Sequence, residues 1–372
     1  MRPRPRMTSG QLGRAGASSA ALQGDRLPVY SHSRLSSFEN CPLQYRYRYI
    51  DRIRSDFESI EAFVGKRAHE VLEGIYTDLD RARAEGPEAA LARYEELWDR
   101  SFSPNVRVVR PDLDAAWYRK LGARCVANFW ERNYPFRIDP AKIIGVEMKV
   151  EMSLDQAGRF RMMGYVDRAQ HAEPGVIEIH DYKTTASLPK EGSLRYDRQL
   201  PLYEIAIRQR FPETKEVRLV WHFLAHGVEV VEKRRPEDLD RVRRSCIALI
   251  QTVERARDFA SKKGPLCAWC DYQEICPEWK GTRPLAPPAF PNGVPKEPEI
   301  PWIPSRVKAT EVRDPGIAGP PPAREGVPAP SAGQPSQADD EPAPQPEAQP
   351  PSKPQPAAEP AGTRSPRQLT LF

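Results

Sequence analysis

No stretch of this 372-residue chain is apolar for long enough to cross a membrane, and its arginine-rich start lacks the apolar core of a signal peptide. The expectation is therefore a cytoplasmic protein. Cysteine is scarce, with six residues. In a reducing compartment those six point to metal ligation or burial rather than to disulfides. No G-x-x-x-x-G-K-[ST] loop occurs, so the chain carries no nucleotide-driven motor of its own. No internal repeat is present either. What there is in plenty is proline, 40 residues, with a mean hydropathy of −0.65. The hydrophobic content of 39% suffices for a sizeable core, yet part of the chain must stay outside it. The formal charge of +5 leans towards a polyanionic partner, or equally towards a plain solvated basic surface.

These biases divide the chain. Residues 1–28 are rich in Arg, Gly, Ser and Ala without apolar periodicity and read as a disordered basic arm. From 282 to 366 Pro, Ala, Gln, Glu and Ser dominate, as in PAPQPEAQPPSKPQP, a composition that buries too little apolar surface to offset its ordering entropy. Between them, residues 29–281 form one domain. Helical periodicity runs over 33–40, 60–79, 88–100 and 114–134. Strands follow: KIIGVEMKVEMSL sets Val146, Met148, Val150 and Met152 against Glu147, Lys149 and Glu151, and RFRMMGYVDRA is its hairpin partner. VIEIHDYKT is a third strand, a helix spans 199–210, VRLVWHFLAHG and VEVVEKR are two more strands, and a last helix covers 236–262. The class is α/β, with helices flanking a mixed sheet.

Two acids stand where strands should end, Asp167 in GYVDR and Asp181 in IHDYKTT. Lys183, two places after Asp181 on an extended strand, projects to the same face. Two such carboxylates suit Mg²⁺, and a lysine beside them orients a water or neutralises a phosphate; alone, D-x-K reads more often as a strand-end salt bridge on a solvated face. His69 shares a helical stripe with Leu72 and Tyr76, where a histidine is most often a satisfied core residue. Gln199 and Tyr203, four apart, point the same way from the start of a helix.

Taken in order, His69, Gly164-x-x-Asp167, Asp181-x-Lys183 and Gln199-x-x-x-Tyr203 resemble the RecB-type branch of the PD-(D/E)xK nuclease superfamily over roughly residues 30–280. The resemblance implies a restriction-endonuclease-like core. It further implies that His69, Asp167 and Asp181 bind a catalytic Mg²⁺ or Mn²⁺, that Lys183 assists the attacking water, and that Gln199 and Tyr203 hold DNA near the scissile phosphate. The second acid is often Glu in that family; here it is Asp181.

Cys267-x-x-Cys270 and Cys276 make a cluster of three thiols that lacks one ligand, and Cys41 of CPLQYRYRY, with 225 residues between it and Cys267, supplies it if the ends of the domain meet. The pattern is similar to the AddB-like iron-sulfur subgroup of RecB-type nucleases, which implies a [4Fe-4S] cluster on Cys41, Cys267, Cys270 and Cys276, with zinc on the same four thiolates as the alternative. Cys125 and Cys246 fall inside amphipathic helices and read as buried. The Tyr and Arg beside Cys41 either pack against the cluster or contact DNA. At 367–372, RQLTLF is similar to the sliding-clamp-binding peptide of bacterial replication and repair proteins, with Gln368, Leu369, Leu371 and Phe372 as its contact residues.

The reading is thus a metal-dependent DNA nuclease, a single-strand exonuclease of repair or recombination that relies on a separate helicase for unwinding. The alternatives are a CRISPR-associated spacer-processing exonuclease and a non-catalytic DNA-binding subunit of a helicase-nuclease complex.

Overall fold

Alternating apolar residues in 143–183 and 216–232 build five strands of a six-stranded sheet, and the apolar stripes of the flanking helices close over both of its faces. The computed structural model describes residues 27–279, Asp56 excepted, together with Lys296 and Pro298. The basic arm up to residue 26, the proline-rich tail apart from those two residues, and the terminal peptide Gln368–Phe372 lie outside the described residues.

In chain order the elements are β1 (Val29–Tyr30), α1 (His32–Asn40), α2 (Pro42–Tyr45), β2 (Glu58–Ser59), α3 (Ile60–Thr77), α4 (Leu79–Glu85), α5 (Pro87–Ser101), β3 (Val106–Arg107) and α6 (Ala115–Asn133). There follow β4 (Ile143–Ser153), β5 (Arg161–Glu173), β6 (Val176–Lys183), α7 (Gln199–Arg210), β7 (Glu216–Phe223), β8 (Val228–Glu232) and α8 (Pro236–Arg255). β4, β5 and β6 form an antiparallel meander; β7 is parallel to β6, reached through α7, and β8 returns antiparallel to β7. The short β1 adds a parallel pairing to β5. The sheet is mixed and flanked by helices, as the sequence indicates.

Leu35 of α1, Leu200 and Ile205 of α7, and Cys246 and Ile250 of α8 cover Ile179, Leu219 and Trp221 on one face. Phe63 and Leu72 of α3, Tyr94 of α5, and Val126 and Phe129 of α6 gather with Tyr182 on the other. Both inner cysteines, Cys125 and Cys246, are fully buried, and burial pushes the Cys125 thiol up to about 12. In α7 every residue from Gln199 to Ile207 is buried, the mark of a helix enclosed on all sides. Its polar residues Gln199, Tyr203 and Glu204 must therefore find partners inside the protein.

Two expectations are corrected. The last helix ends at Arg255 rather than at Lys262, because Ala256 turns extended and the following segment runs back to the N-terminal helices, where Phe259 stacks on Tyr45. In β4 the alternation breaks as well. Val146 packs with the α3 side and Met148, two residues on, with the α7 side, so the strand exchanges faces at Glu147. Glu147 has φ of +46°, which inverts the direction of its side chain. It turns inward, with its side chain only 10% exposed, and does not join Lys149 and Glu151 on the solvent face.

Candidate active site

Tyr182, the middle residue of Asp181-Tyr182-Lys183, organises the site through its backbone. Its N–H donates to Asp167 Oδ2 at 2.7 Å, and its carbonyl faces His69 Nε2 at 2.8 Å. A single peptide segment on β6 thus fixes a carboxylate from β5 and an imidazole from α3. The Tyr182 ring points to the opposite face, where its hydroxyl accepts from the buried Arg168 Nε at 3.0 Å. Arg168 in turn lies over the Tyr76 ring at 4.0 Å and meets His180 Nδ1 at 2.8 Å. A fully satisfied buried cation on one side of the sheet anchors the strand that carries the acids on the other.

Because the carbonyl accepts from His69 Nε2, the opposite nitrogen, Nδ1, is left with no hydrogen-bond partner although it is buried. It lies 3.5 Å from Glu147 Oε1 and 3.7 Å from Asp167 Oδ1, beyond good hydrogen-bonding distance. These three atoms all fall within 4.8 Å of one another, and among the described residues theirs is the one set of this kind. Glu147 stands across the ladder from Asp167, between the pairs Val146–Arg168 and Met148–Val166. Its left-handed backbone, which costs about 1–3 kcal/mol in a non-glycine residue, is what delivers a third ligand-type atom to this point. Sequence alternation assigned Glu147 to solvent. The overlooked signal is Gly145, since a glycine inside a strand marks a bulge, and the β4–β5 register does shift between Ile143 and Gly145.

Electrostatically the pocket is overloaded with acid. Burial pushes Asp167 up to about 7; His69 opposes this, while the Asp181 and Glu147 carboxylates add to it. Burial alone would lower His69, but Asp167 and Glu147 reverse the direction and raise it to about 9. A cation placed among these groups would relieve the carboxylate repulsion that helps to raise Asp167, and would take the place of the proton that Asp167 and Glu147 hold on His69.

Asp181 is held differently. Lys183 Nζ lies 2.8 Å from Asp181 Oδ2 and 3.1 Å from Oδ1, and Nζ also donates to Gln199 Oε1 at 3.2 Å. Burial disfavours the Lys183 charge, yet Asp181 outweighs it and the pKa stays raised. Gln199 Nε2 continues the chain to the Tyr203 hydroxyl at 3.4 Å. Asp197 Oδ1 accepts from the Gln199 and Leu200 amides at 2.8 and 3.2 Å and so fixes the start of α7. The six motif residues are thus brought into one neighbourhood, with Glu147 in place of Asp181 in its tightest triad.

Gly164 explains its own place in the motif. A Cβ there would sit 2.3 Å from Tyr203 Cε1. Gly164→Ala is expected to displace Tyr203 and to lower stability by about 1–3 kcal/mol, read as a fall in denaturation midpoint together with weakened DNA binding.

The two ends of the domain do meet. The Lys262 amide donates to Cys41 Sγ at 3.4 Å, Gly264 N to Cys267 Sγ at 3.4 Å, and Gln44 Nε2 to Cys270 Sγ at 3.8 Å. Tyr47 packs on Tyr272 at 5.5 Å, Arg48 pairs with Asp271, and the Tyr272 hydroxyl donates to Ile53 O at 3.0 Å. Burial pushes Cys270 up to about 11, with Cys41 and Cys267 adding to the rise. All six cysteines are free thiols, and no cysteine set among the described residues matches the 4.8 Å grouping of His69, Glu147 and Asp167. The Tyr-Arg run beside Cys41 is helical, with Tyr45 buried and Tyr47 packed on Tyr272.

No curated protein matches the chain. Among solved structures it is similar to a "Putative exonuclease" from Eubacterium rectale, with 14% identity, coverage of 70% of this chain and 91% of that one, and a TM-score of 0.39. It is also similar to SSO0001, with 13% identity, coverage of 66% and 84%, and a TM-score of 0.30. Residues 29–277, which contain every residue of the pocket, match the PD-(D/E)XK nuclease superfamily, and the chain belongs to that family.

Proposed function

We propose that this protein is a RecB-type DNA nuclease that uses Mg²⁺ or Mn²⁺ and trims single-stranded ends as an exonuclease in repair or recombination. The observation that carries this reading is the buried, unsatisfied His69 Nδ1 facing Glu147 and Asp167, next to the Asp181–Lys183 pair. One nitrogen and two carboxylate oxygens suit a hard divalent ion, with the imidazole favouring Mn²⁺. His69, Glu147 and Asp167 would hold it, with Asp181 adjoining. When bound, the ion supplies charge neutralisation at the phosphoryl oxygens and lowers the pKa of a ligated water.

The chain's own residues do the rest. Lys183, fixed by Asp181 and Gln199, orients the attacking water and faces the negative charge that builds as the new P–O bond forms and the bond to the leaving nucleotide breaks. Gln199 and Tyr203 position the strand. Unwinding, where needed, falls to a separate helicase. The test is cleavage of end-labelled single- and double-stranded DNA by anaerobically purified protein. Shortening of single strands with Mn²⁺ or Mg²⁺, and none in chelator, is expected; no cleavage under any of these conditions overturns the reading.

Protons compete with the ion for Asp167, raised to about 7, and for His69, raised to about 9, so Mn²⁺ affinity is expected to climb from about pH 6 to about pH 10, with proton release on binding. Glu147→Gln should weaken that affinity at least about tenfold. It also removes a carboxylate that raises both pKa values, so the climb should move to lower pH. Titration calorimetry at several pH values reads both effects.

The four cysteines Cys41, Cys267, Cys270 and Cys276 are assigned to a [4Fe-4S] cluster. Four thiolates suit an iron-sulfur cluster and a zinc ion alike, and iron with acid-labile sulfide in the purified protein, as against zinc, decides between them. For the terminal peptide, deletion of residues 368–372 is expected to abolish pull-down with a sliding clamp and to leave cleavage unchanged; retained clamp binding would dismiss it.

A further inference from the structure

The segment from Thr184 to Arg198, which links Lys183 to α7, carries features that neither packing nor the catalytic pocket uses. Tyr196 is 76% exposed and Leu188 48%, the first being the most exposed of the large apolar side chains described. The Arg195 guanidinium lies over the Tyr196 ring at 4.8 Å. Neither Lys190 nor Arg195 forms an ion pair among the described residues, whereas Arg198, three residues after Arg195, pairs with Glu39. The segment is held in place rather than loose. Its short helical turn Ser193–Tyr196 starts from Gly192 in a left-handed conformation, and Arg234 donates to Leu194 O at 2.9 Å. Asp197, directly after Tyr196, anchors α7, and its carboxyl is buried beside Lys183 and Asp181.

We infer that Tyr196, with Arg195 over its ring and Lys190 on the same segment, is a stacking platform for an unpaired base of the strand entering the active site. The inference rests on the nuclease reading above and adds to it a determinant of strand preference. An aromatic ring exposed beside unpaired cations offers a base a π-face and its phosphate a counter-charge, and only an unpaired base can use such a face. A duplex keeps its bases stacked on each other and gains nothing from the ring.

The test uses the full-length protein and fluorescein-labelled oligonucleotides, with binding followed by anisotropy in chelator and cleavage followed separately with Mn²⁺. Tyr196→Ala should weaken single-strand binding by roughly 5- to 100-fold and raise KM for single strands, with kcat and duplex binding unchanged. Tyr196→Phe should keep wild-type affinity, and Tyr196→Leu should behave like the alanine variant. An oligonucleotide with an abasic position at the stacked base should bind wild type as weakly as Tyr196→Ala does, and should lose nothing more in that variant. Unchanged single-strand affinity in Tyr196→Ala, or an equal loss on duplex, overturns the inference. Wild-type protein that binds single strands through Tyr196 yet cleaves none would overturn the nuclease reading and leave the platform standing.

Discussion

Replacing Lys183 by Met should reduce DNA cleavage by about 10²- to 10³-fold, the scale seen when one preorganised group that stabilises developing charge is lost. The substitution has a second consequence that must be separated from the first. Asp181 has a side chain only 5% exposed and pairs with Lys183 Nζ at 2.8 Å. Without the ammonium, a buried carboxylate stands uncompensated, at a cost of about 3–5 kcal/mol. The denaturation midpoint should therefore fall in Lys183→Met. In the double variant Asp181→Asn, Lys183→Met both charges are gone and most of the midpoint should return, while cleavage stays lost. An active Lys183→Met enzyme, or a double variant that regains cleavage with its stability, would remove Lys183 from the chemistry. The same construction answers whether the pair is a structural salt bridge, because a purely structural pair would let activity follow the midpoint.

Much of this pocket was legible because its spacing obeys strand and helix periodicity. Asp181 and Lys183 share a strand face by the two-residue repeat, and Gln199 and Tyr203 share a helix face by the four-residue one. The x between Asp181 and Lys183 was silent in the sequence, since Tyr182 acts through its N–H and C=O, which every residue possesses. Glu147 was hidden for the opposite reason. The alternation that located β4 also sent Glu147 to solvent, and only a local reversal of φ, invisible to periodicity, returns it to the pocket. Helix α8 was read seven residues too long because its amphipathic pattern fades gradually, while its end is set by the tertiary need to bring the Lys262 amide back to Cys41. The buried Arg168, with Tyr76 and His180 around it, shows the same limit, because a lone arginine in a strand gives no hint that it braces β6 from behind through the Tyr182 hydroxyl.

Cys41→Ser is expected to abolish iron and acid-labile sulfide together, to bleach the brown colour of the anaerobic protein, and to lower the denaturation midpoint by roughly 10 to 20 °C. The magnitude follows from chain entropy. A cross-link that closes a loop of more than about 100 residues restrains the unfolded chain by about 5 kcal/mol, and each kcal/mol moves the midpoint of a domain of this size by about 2–4 °C. The hydrogen bonds described between residues 41–53 and 262–276 join Cys41 to Lys262, Gln44 to Cys270, Tyr47 to Ile275, Arg48 to Asp271 and Ile53 to Tyr272, and being non-covalent they do not replace that restraint on the unfolded chain. A variant that keeps three thiolates and loses all of its iron would identify Cys41 as the ligand that ties the first helices to the segment after α8. Serine at Cys125, buried in α6, should leave iron content unchanged. Stoichiometric zinc in place of iron and sulfide would keep the staple and refute the cluster, whereas wild-type iron content in Cys41→Ser would refute the staple itself.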